Sequence, residues 1–505
     1  MNRKIGVIFS YLLMFVEIFS AMLFTPLLIR SLGPSEYGVY QLVSSVTAYL
    51  MLLDLGVGTA IVRYIAKYRA NGDKKKQSEF LGIATTFYII IAILVLIIGF
   101  ILVIIFPYVF AKGLSFEEIR IGKILLILNL ISVSCSLGNT VFPAVIIAYE
   151  RFFYSKVKAI VTVILRIGVC SAFLLLGAKS ISIVAIHLIF NIVTRIIDVW
   201  YVRKKLNLRP TFSKPNVSFV KEIFAYSGFV TLQMIATQIN SMTDSVLLGI
   251  FAEGSAVLIA IYSVGIQIVQ YFKTIGGHVN GVLMAGAVRL VESGAKPKDL
   301  QNEMVRIGRI NFMMLGIVFA TFLVNGKHFL TLWVGEGYEQ SYYVAIAVMI
   351  PTMFNIVQSI GNQILWALNK HRVLAIIQVV SAFLNVILTI FLIRWNPLVG
   401  AVIGSVIALV VGDIFCMNIV FKKDVKISLM GYYLGLAKGI VPALVISFIS
   451  GLIFNIFGFE RYGWVGFIIN CAFVVCIYGI CMIVFGMNES EKKMLLGMWK
   501  KIARR

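Results

Sequence analysis

The sequence predicts an all-α polytopic membrane protein with about fourteen transmembrane helices. The 505 residues are 60% hydrophobic and only 13% charged, and the mean hydropathy is +0.96. Soluble domains are about 45–50% apolar and about 25% charged. Apolar runs of about 20 residues, the length that a spanning helix needs, recur along the whole chain. This composition excludes a soluble enzyme, a disordered chain and a repeat solenoid.

Fourteen apolar runs, here called spans 1 to 14, follow one another with short polar segments between them. Span 1 follows MNRK and is about 25 residues long, too long for the apolar part of a signal peptide, so we expect an uncleaved helix. The spans are placed at 5–29, 39–62, 80–105, 121–148, 159–176, 181–200, 224–251, 257–285, 311–330, 343–368, 374–393, 398–420, 433–457 and 465–485.

Basic residues are distributed unequally between the two sides of this topology. An even number of spans places both termini on one side, and segments on that side hold 33 Lys and Arg residues against 8 in the opposite loops. Cytoplasmic loops are enriched in Lys and Arg, so we expect both termini in the cytoplasm. Contact with anionic membrane lipids then accounts for the net charge of +23, and no nucleic-acid partner is expected.

The polar segment 201–223 separates six spans from the next six. A weak repeat pairs LLIRSLGPSEYGVYQLV (27–43) with LLGIFAEGSAVLIAIYSV (247–264) and aligns Arg63 with Arg289. Because six is even, the halves have the same orientation, which predicts a parallel repeat of two six-helix lobes. We expect an N-lobe at 1–212, a C-lobe at 213–428, and two C-terminal helices with a basic cytoplasmic tail at 429–505.

Residue patterns that support enzyme chemistry are missing from the sequence. No GxxxxGK[ST] loop is present, the six cysteines lie in apolar runs without CxxC spacing, and the four histidines are scattered. No outer loop exceeds about 20 residues, whereas a membrane glycosyltransferase or ligase needs a larger external domain. We therefore expect neither enzyme activity nor a metal or organic cofactor.

Polar side chains inside the spans are the candidate functional residues. A charge at a helix centre costs about 2.5–3.5 kcal/mol by insertion scales, so each should face a cavity or a partner. Spans 7 and 8 each carry a polar stripe along most of their length, which favours a water-filled cavity over a hydrogen-bonded interhelix seam. The stripes are Gln233, Thr237, Asn240, Ser241 and Asp244 on span 7, and Ser263, Gln267, Gln270, Lys273, Thr274, Gly277, Asn280 and Gly281 on span 8.

Three acids are candidates for coupling to H+ or Na+. Asp244 lies on the span 7 stripe, while Glu17 and Asp54 lie on spans 1 and 2, and Asp54 stands in the glycine-rich stretch LDLGVGTA. Lys273, near the middle of span 8, is a candidate phosphate anchor; an ion pair with Glu17 or Asp54 is the alternative.

Arginines near the ends of spans have two interpretations. Arg63 and Arg289 close spans 2 and 8 on the cytoplasmic side, either as interface anchors or as part of a gate. Arg195 and Asp198 stand three residues apart on span 6 and can form a structural pair.

The chain resembles the bacterial polysaccharide flippases of O-antigen and teichoic-acid type, which belong to the multidrug/oligosaccharidyl-lipid/polysaccharide exporter superfamily. The segments that carry the resemblance are LLIRSLGPSEYGVYQL, LDLGVGTAIVRYIAKYRANGDKKK, MTDSVLLGIFAEGSAVLIAIY, FLTLWVGEGY and NQILWALNKHR, in this order. Each segment matches the family only loosely, and the order and spacing of the segments carry the resemblance. The resemblance covers nearly the whole chain, including the arrangement of spans as six plus six plus two.

The resemblance implies two lobes around a cavity lined by spans 1, 2, 7 and 8, which alternate in opening to the two sides. It implies a lipid-linked oligosaccharide on polyprenyl pyrophosphate as cargo, the bacterial plasma membrane as location, and polysaccharide polymerase or assembly proteins as further partners. Asp244 stands where such flippases often have an acid. Span 1 has Glu17 but lacks a mid-span Arg-Asp pair, which departs from the lipid II branch.

On this interpretation, Lys273, Gln270, Asn240, Gln267, Asn280, Arg63 and Arg289 bind the cargo. The first alternative is a cation-coupled small-molecule antiporter of the same superfamily, whose cavity would be net acidic and would not need Lys273. A membrane glycosyltransferase or ligase and a transport-inactive scaffold are further alternatives. The sugar composition and the oligomeric state are not encoded in any pattern that we identify.

The orientation is testable by cysteine labelling. In a cysteine-free background, a cysteine at Asn216 should not react with a membrane-impermeant reagent in intact cells, because we expect the segment 201–223 to be cytoplasmic. The same variant should react after the cells are permeabilised. Labelling in intact cells would show that the orientation is reversed.

Overall fold

The computed structural model describes residues 2–212 and 217–493. Within these ranges the side chains of 2–8, 11, 217–230, 278–285, 287, 288, 371, 459 and 460 are not described. Asn280 is therefore the one candidate site residue whose side chain lies outside the described part.

The described residues fold into helices, which confirms the predicted all-α membrane fold. The α-helices are α1 Asn2–Ala48, α2 Val57–Ala70, α3 Lys74–Val109, α4 Phe116–Gly138, α5 Val141–Ala148, α6 Phe152–Leu175, α7 Ser180–Lys204, α8 Val217–Phe251, α9 Ser255–Glu292, α10 Pro297–Val334, α11 Glu339–Ala367, α12 His371–Ile393, α13 Pro397–Leu409, α14 Met417–Val420, α15 Leu429–Ala437, α16 Ile440–Asn455 and α17 Gly463–Cys481. Short 3₁₀ segments are Tyr49–Asp54 and Phe459–Tyr462, and π-helical segments are Val410–Cys416, Phe421–Val425 and Met482–Gly486.

Each of the fourteen predicted spans is mostly helical in this structure, and turns interrupt spans 2, 4 and 13. In the described part, eleven helical segments are long and apolar enough to cross a membrane, and α15 with α16 forms a twelfth span bent by 41°. One of the eleven, Leu12–Ala70, contains spans 1 and 2 together. Span 7 is α8, part of whose side chains are not described. A helix satisfies its own backbone hydrogen bonds, which is why apolar spans adopt it in lipid.

Two breaks divide the first 70 residues into shorter helical pieces. Gly33 has φ 75° and ψ 169°, which interrupts α1 between spans 1 and 2. Leu55 and Gly56, with φ 51° and 67°, end the 3₁₀ segment before α2 begins. Span 2 is therefore not one continuous helix, and its break lies directly beside Asp54.

A side-chain cap fixes the start of α3 outside the membrane. Asp73 accepts a hydrogen bond of 2.9 Å from the backbone N–H of Lys76, so one of the free N–H groups of the first turn is satisfied. This hydrogen bond holds the pKa of Asp73 below its usual value, with the neighbouring Lys76 ammonium adding to the effect.

The chain divides into two compact units. The first comprises 1–263 and 382–404, and the second comprises 264–381 and 405–505. In the first unit α1 packs on α4, α6 and α8, and α4 also packs on α3 and α7. In the second unit α10 is the central element, because it packs on α11, α15, α16 and α17. The predicted two six-helix lobes rest on an internal repeat. The division into compact units does not test that repeat, so the lobes stay a prediction.

Arg309 joins the last helices of the second unit to α10. It is 4% exposed, and all five of its N–H donors have acceptors. Nε and Nη2 donate to the two carboxylate oxygens of Glu491 at 2.6 and 3.0 Å. Nη1 donates to the carbonyls of Gly435 and Lys438, and Nη2 to that of Gly486, at 2.7–2.9 Å. The carbonyls at two helix ends, which lack helical partners, are thereby satisfied.

In the sequence Arg309 belongs to the polar segment between spans 8 and 9, and α10 extends through that segment. The residue lies inside α10, buried among helix ends, because five acceptors compensate for the loss of water around its charge.

We expect Glu491→Ala to destabilise the protein strongly, since it leaves the Arg309 charge buried without its carboxylate. Breaking a buried ion pair by removing one partner costs about 3–5 kcal/mol. The thermal stability of the detergent-solubilised protein measures the effect. The control is Glu489→Ala, at an exposed position two residues away. Equal stability of the two variants would contradict this role for the pair.

Candidate functional site

The acid of the span 7 stripe lies in a buried polar cluster of the first unit. Asp244 is 2% exposed, and its Oδ2 accepts a hydrogen bond of 2.5 Å from the Tyr262 hydroxyl. Its Oδ1 accepts one of 3.2 Å from the hydroxyl of Thr389, which lies 3.0 Å from the Asn385 side-chain oxygen. We call Asp244, Tyr262, Asn385 and Thr389 the Asp244 cluster. Four oxygen-bearing side chains from α8, α9 and α12 thus meet away from water.

The chemistry of the Asp244 cluster suits a small hard cation or a proton. Carboxylate, amide and hydroxyl oxygens are ligands that hard cations prefer. An ionised carboxylate buried among neutral groups is costly, and a bound cation or proton reduces that cost. The cluster therefore offers ligands that a small cation or a proton could use.

Gly404, on α13, fixes how closely the backbone approaches the Asp244 cluster. A Cβ at this position would lie 2.3 Å from the Thr389 hydroxyl oxygen and 3.0 Å from the Thr389 backbone nitrogen. No real side chain tolerates such distances, so α13 and α12 pack this tightly only with glycine here. An alanine at Gly404 would displace Thr389 without changing the acid itself.

Asp54 is placed at the break in span 2, also in the first unit. Its Oδ1 accepts a hydrogen bond of 2.7 Å from the Tyr88 hydroxyl, and its carboxylate also accepts one from the Gly56 backbone. The freed carbonyl of Leu55 accepts a hydrogen bond of 2.9 Å from Thr231 on α8. These contacts give Asp54 a clear structural role, that of holding the broken ends of span 2.

The candidate anchor Lys273 lies in the second unit, where it interacts electrostatically with Asp413. Asn355 on α11 hydrogen-bonds to the same carboxylate. The sequence suggested Glu17 or Asp54 as the counter-ion, but both belong to the first unit, and Asp413 supplies the negative charge within the unit of Lys273 itself.

Asp413 is presented by the π-helical segment Val410–Cys416. The preceding Gly412 lies against α12: a Cβ there would be 2.4 Å from the Ser381 Cβ. Ser381 in turn donates a 2.8 Å hydrogen bond to the carbonyl of Ala408. π-Helical turns within α-helices occur frequently at functional sites. Here the turn and its glycine fix the direction of a charged side chain.

The other predicted site residues lie at different levels of exposure. Glu17, Gln270, Arg63 and Arg289 are exposed, while Asn240 and Gln267 are half-buried. Gln267 donates a 2.9 Å hydrogen bond to the Tyr271 hydroxyl, one turn further along α9. The structure therefore brings Asp244 together with three neutral partners and Lys273 together with Asp413. The remaining candidate residues do not join either of these two groups.

The predicted pairing of Arg195 with Asp198 is wrong in its main contact. Asp198 is fully buried and forms its ion pair with Lys158 on α6. Arg195 instead donates to the side chains of Asn191 and Ser136, at 3.3 and 2.9 Å. Its attraction to Asp198 persists at longer range. Lys158 lies just before span 5 in the sequence, and only the packing of α6 on α7 brings it to the acid.

The sequence of the chain matches the family model described as "Polysaccharide biosynthesis protein" over residues 5–285. This match covers more than half of the chain. The chain belongs to the polysaccharide biosynthesis protein family. The resemblance that the sequence motifs suggested is thereby confirmed at the level of the family.

Curated members with similar sequences are distant. A Shigella flexneri protein named "Putative O-antigen transporter" is 20% identical over 384 residues, which cover 75% of this chain and 88% of that protein. The Bacillus subtilis "Uncharacterized membrane protein EpsK" is 21% identical over 400 residues, which cover 75% and 74% of the two chains.

Solved structures show that this member of the polysaccharide biosynthesis protein family shares its fold with transporters. The inward closed conformation of the lipid II flippase MurJ has a TM-score of 0.68 at 14% identity, covering 93% of this chain and 98% of that one. An inward-facing multidrug resistance MATE family transporter of the MOP superfamily has a TM-score of 0.60 at 14% identity, covering 81% and 95%. At this identity the likeness establishes the fold alone.

Sequence reasoning missed the partners of the two central charges in this family member. Asn385 and Thr389 stand four residues apart on span 11, the spacing of one helix face, and this was the available signal. Asp413 is an acid inside span 12, but nothing local to it in the sequence indicates Lys273 as its neighbour.

Proposed function

We propose that this chain moves a polyprenyl-pyrophosphate-linked oligosaccharide from the cytoplasmic to the outer leaflet of the bacterial plasma membrane, with both termini in the cytoplasm. The observation that carries the proposal is Lys273, a cation on a polar helix face inside the membrane, in a chain of the polysaccharide biosynthesis protein family. The name of the Shigella flexneri relative and the fold shared with MurJ support the same class of cargo.

The physical problem of this transport is the polar head of the cargo. Sugar hydroxyls and a pyrophosphate do not cross hydrocarbon, because each unsatisfied polar group costs several kcal/mol there. Amide side chains such as Gln267, Gln270 and Asn240 offer hydrogen bonds in place of water. The Lys273 ammonium attracts the pyrophosphate, and the lipid tail remains in the bilayer.

Asp413 makes the Lys273 site switchable. In the absence of cargo, the Asp413 carboxylate interacts with the Lys273 ammonium and lowers the cost of keeping it in the membrane. An arriving pyrophosphate competes for the same ammonium and releases Asp413. Binding and release of cargo therefore change the electrostatic balance between α9 and the π-helical segment of span 12, and alternating access uses such a difference between two states.

Ion coupling is assigned to the Asp244 cluster. H+ or Na+ taken up by Asp244 would change the charge of a buried site and thereby bias the equilibrium between the outward- and inward-open states. The oxygen ligands fit either ion. Glu17 and Asp54 were equal candidates from the sequence. Asp54 is engaged at a helix break, and Glu17 is exposed, so the proposal rests on Asp244.

A cation-coupled multidrug antiporter is the second candidate, and the fold shared with the MATE family transporter is the observation that favours it. A drug cation would be repelled by Lys273 unless Asp413 outweighed it. Accumulation of lipid-linked sugar in a deletion strain distinguishes the two functions.

Deletion of the chain should cause a lipid-linked oligosaccharide to accumulate in the inner leaflet, and the Lys273→Ala variant should reproduce this accumulation without loss of folded protein. Lys273→Arg should retain part of the transport because it keeps the charge. Lys438→Ala, at an exposed lysine outside the polar stripes, serves as the control. Mass spectrometry of extracted lipid-linked intermediates gives the readout.

A substitution at Asp413 distinguishes two roles for Lys273, that of a pyrophosphate anchor and that of a structural counter-ion. If Lys273 binds pyrophosphate, Asp413→Asn should not rescue Lys273→Ala. Rescue by the second substitution would mean that Lys273 only neutralises Asp413. Full transport by Lys273→Ala alone would exclude the anchor.

We expect Asp244→Asn to abolish the dependence of transport on the proton or sodium gradient, since the amide cannot change its charge. Gly404→Ala should weaken the same dependence, because the added methyl group displaces Thr389 from the acid. The matched control is Gly168→Ala, also in the first unit, where an added Cβ has no neighbour within 4 Å. Transport into vesicles with imposed gradients measures the effect, and unchanged gradient dependence in Asp244→Asn would place the coupling elsewhere.

A further inference from the structure

A second cationic site lies in the first unit, away from the residues assigned to transport. A cavity of about 410 Å³ opens along the C-terminal half of α7 and the end of α4. Its described lining residues include three cations, Arg195, Arg203 and Lys204, and no acid. Apolar side chains of α7 form the rest of its wall, Ile196 and Trp200 among them. The combination of a basic region and an apolar wall is the chemistry of a site for an anionic amphiphile.

The hydrogen bonds of Arg195 to Asn191 and Ser136 use only part of its hydrogen-bond donors. Two of its five N–H donors bind neutral oxygens, one on Ser136 and one on Asn191. Asn191 is itself held by the backbone and hydroxyl oxygens of Ser132 at 3.0 and 2.9 Å. The guanidinium is thereby fixed against α4 while its charge remains uncompensated by direct contact, because Asp198 is bound to Lys158.

The depth of the cations matches the position of a lipid phosphate. Trp200 is 53% exposed at the level where α7 leaves its apolar run, the place where tryptophan marks the membrane interface. Arg195 lies five residues before Trp200 and Lys204 four residues after it, which is about 6–8 Å along the helix axis on either side. Arg203 and Lys204 lie on the interface side of Trp200, where basic side chains typically extend toward lipid phosphates. The guanidinium of Arg195, held by Asn191 and Ser136, lies on the other side of Trp200, deeper along α7.

The apolar part of the wall fits an acyl chain. Ile192 to Lys204 spans about 18 Å of helix, which is close to the thickness of one leaflet of hydrocarbon. Ile196 is 62% exposed, so the side of the cavity away from α4 is open to the bilayer. A soluble anion would use the basic part and leave the apolar wall uncovered. A lipid covers both.

We propose that the cavity between α4 and α7 binds the phosphate headgroup and one acyl chain of an anionic membrane phospholipid. This site is independent of the proposed transport function, because none of its lining residues belongs to the polar stripes, the Asp244 cluster or the Lys273–Asp413 pair. A bound lipid would neutralise part of the charge at the end of α7 and link α4 to α7 from the membrane side.

The test uses the full-length protein in detergent with added lipid and native mass spectrometry. Phosphatidylglycerol should bind more tightly than zwitterionic phosphatidylethanolamine of the same chain length. The variant Arg203→Gln/Lys204→Gln should lose at least tenfold in phosphatidylglycerol affinity, since each basic residue near a membrane surface contributes about a fivefold factor. The matched control is Lys422→Gln/Lys423→Gln, an exposed basic pair at another helix end.

A spectroscopic measurement locates the bound lipid. Brominated phosphatidylglycerol should quench tryptophan fluorescence in the wild type more than in Trp200→Phe. The Arg203→Gln/Lys204→Gln variant should lose this difference. Equal phosphatidylglycerol binding by this variant and the wild type, or an equal loss in the control pair, would overturn the proposal. Displacement of the lipid by millimolar inorganic phosphate would also overturn it, because the occupant would then be the free anion.

Discussion

A charge inside a membrane helix must find compensation from the protein, and this requirement shapes the charged sites of the chain. Arg309 represents complete compensation, with a carboxylate and three carbonyls around all five donors. Lys273 and Asp413 interact with each other while the lysine remains on a polar helix face. Asp244 accepts hydrogen bonds from the hydroxyls of Tyr262 and Thr389. The described contacts thus differ between Arg309, which holds helices together, and the groups proposed to act in transport.

This difference explains why some of the charges are suited to function. A fully satisfied group such as Arg309 loses interactions in any rearrangement, so it stabilises one state. A partly satisfied group has interactions still to gain, and a proton, a metal cation or a pyrophosphate can supply them. Under the proposed function, the energetic cost of Asp244 and Lys273 in the empty protein would be the source of their affinity for an ion and for the cargo.

Departures from regular α-helix occur beside the same charges. Leu55 and Gly56 interrupt span 2 next to Asp54, and a π-helical segment carries Asp413. Another π-helical segment ends at Gly486, whose carbonyl binds Arg309. In lipid an irregular turn needs polar partners for its freed backbone groups. The charged and hydroxyl side chains supply them, so the local backbone and the charged site stabilise each other.

The sequence was sufficient to predict the helices, but it was insufficient to predict which side chains of distant helices contact one another. Apolar runs of about 20 residues predict spans because hydrocarbon permits few other backbone structures, and all fourteen spans are mostly helical. Asp244 and Lys273 were also identified, since an ionisable residue among apolar ones is visible in the chain itself. Asn385, Thr389 and Asp413 were not assigned to them, because contacts between distant spans depend on packing angles that no local pattern encodes. The partners of Arg309 are hidden from the sequence for the same reason, as its compensating carbonyls belong to helix ends more than a hundred positions away.

The segment 382–404, which completes the first unit, has a consequence for biosynthesis. Asp244 emerges from the ribosome 145 residues before Thr389. At about 5–20 residues per second, that interval lasts roughly 7–30 s. Throughout it the nascent chain carries an acid inside a newly inserted helix without the hydroxyl from α12. The first unit can therefore reach its final packing only after residue 404, and with it most of the chain, has been translated.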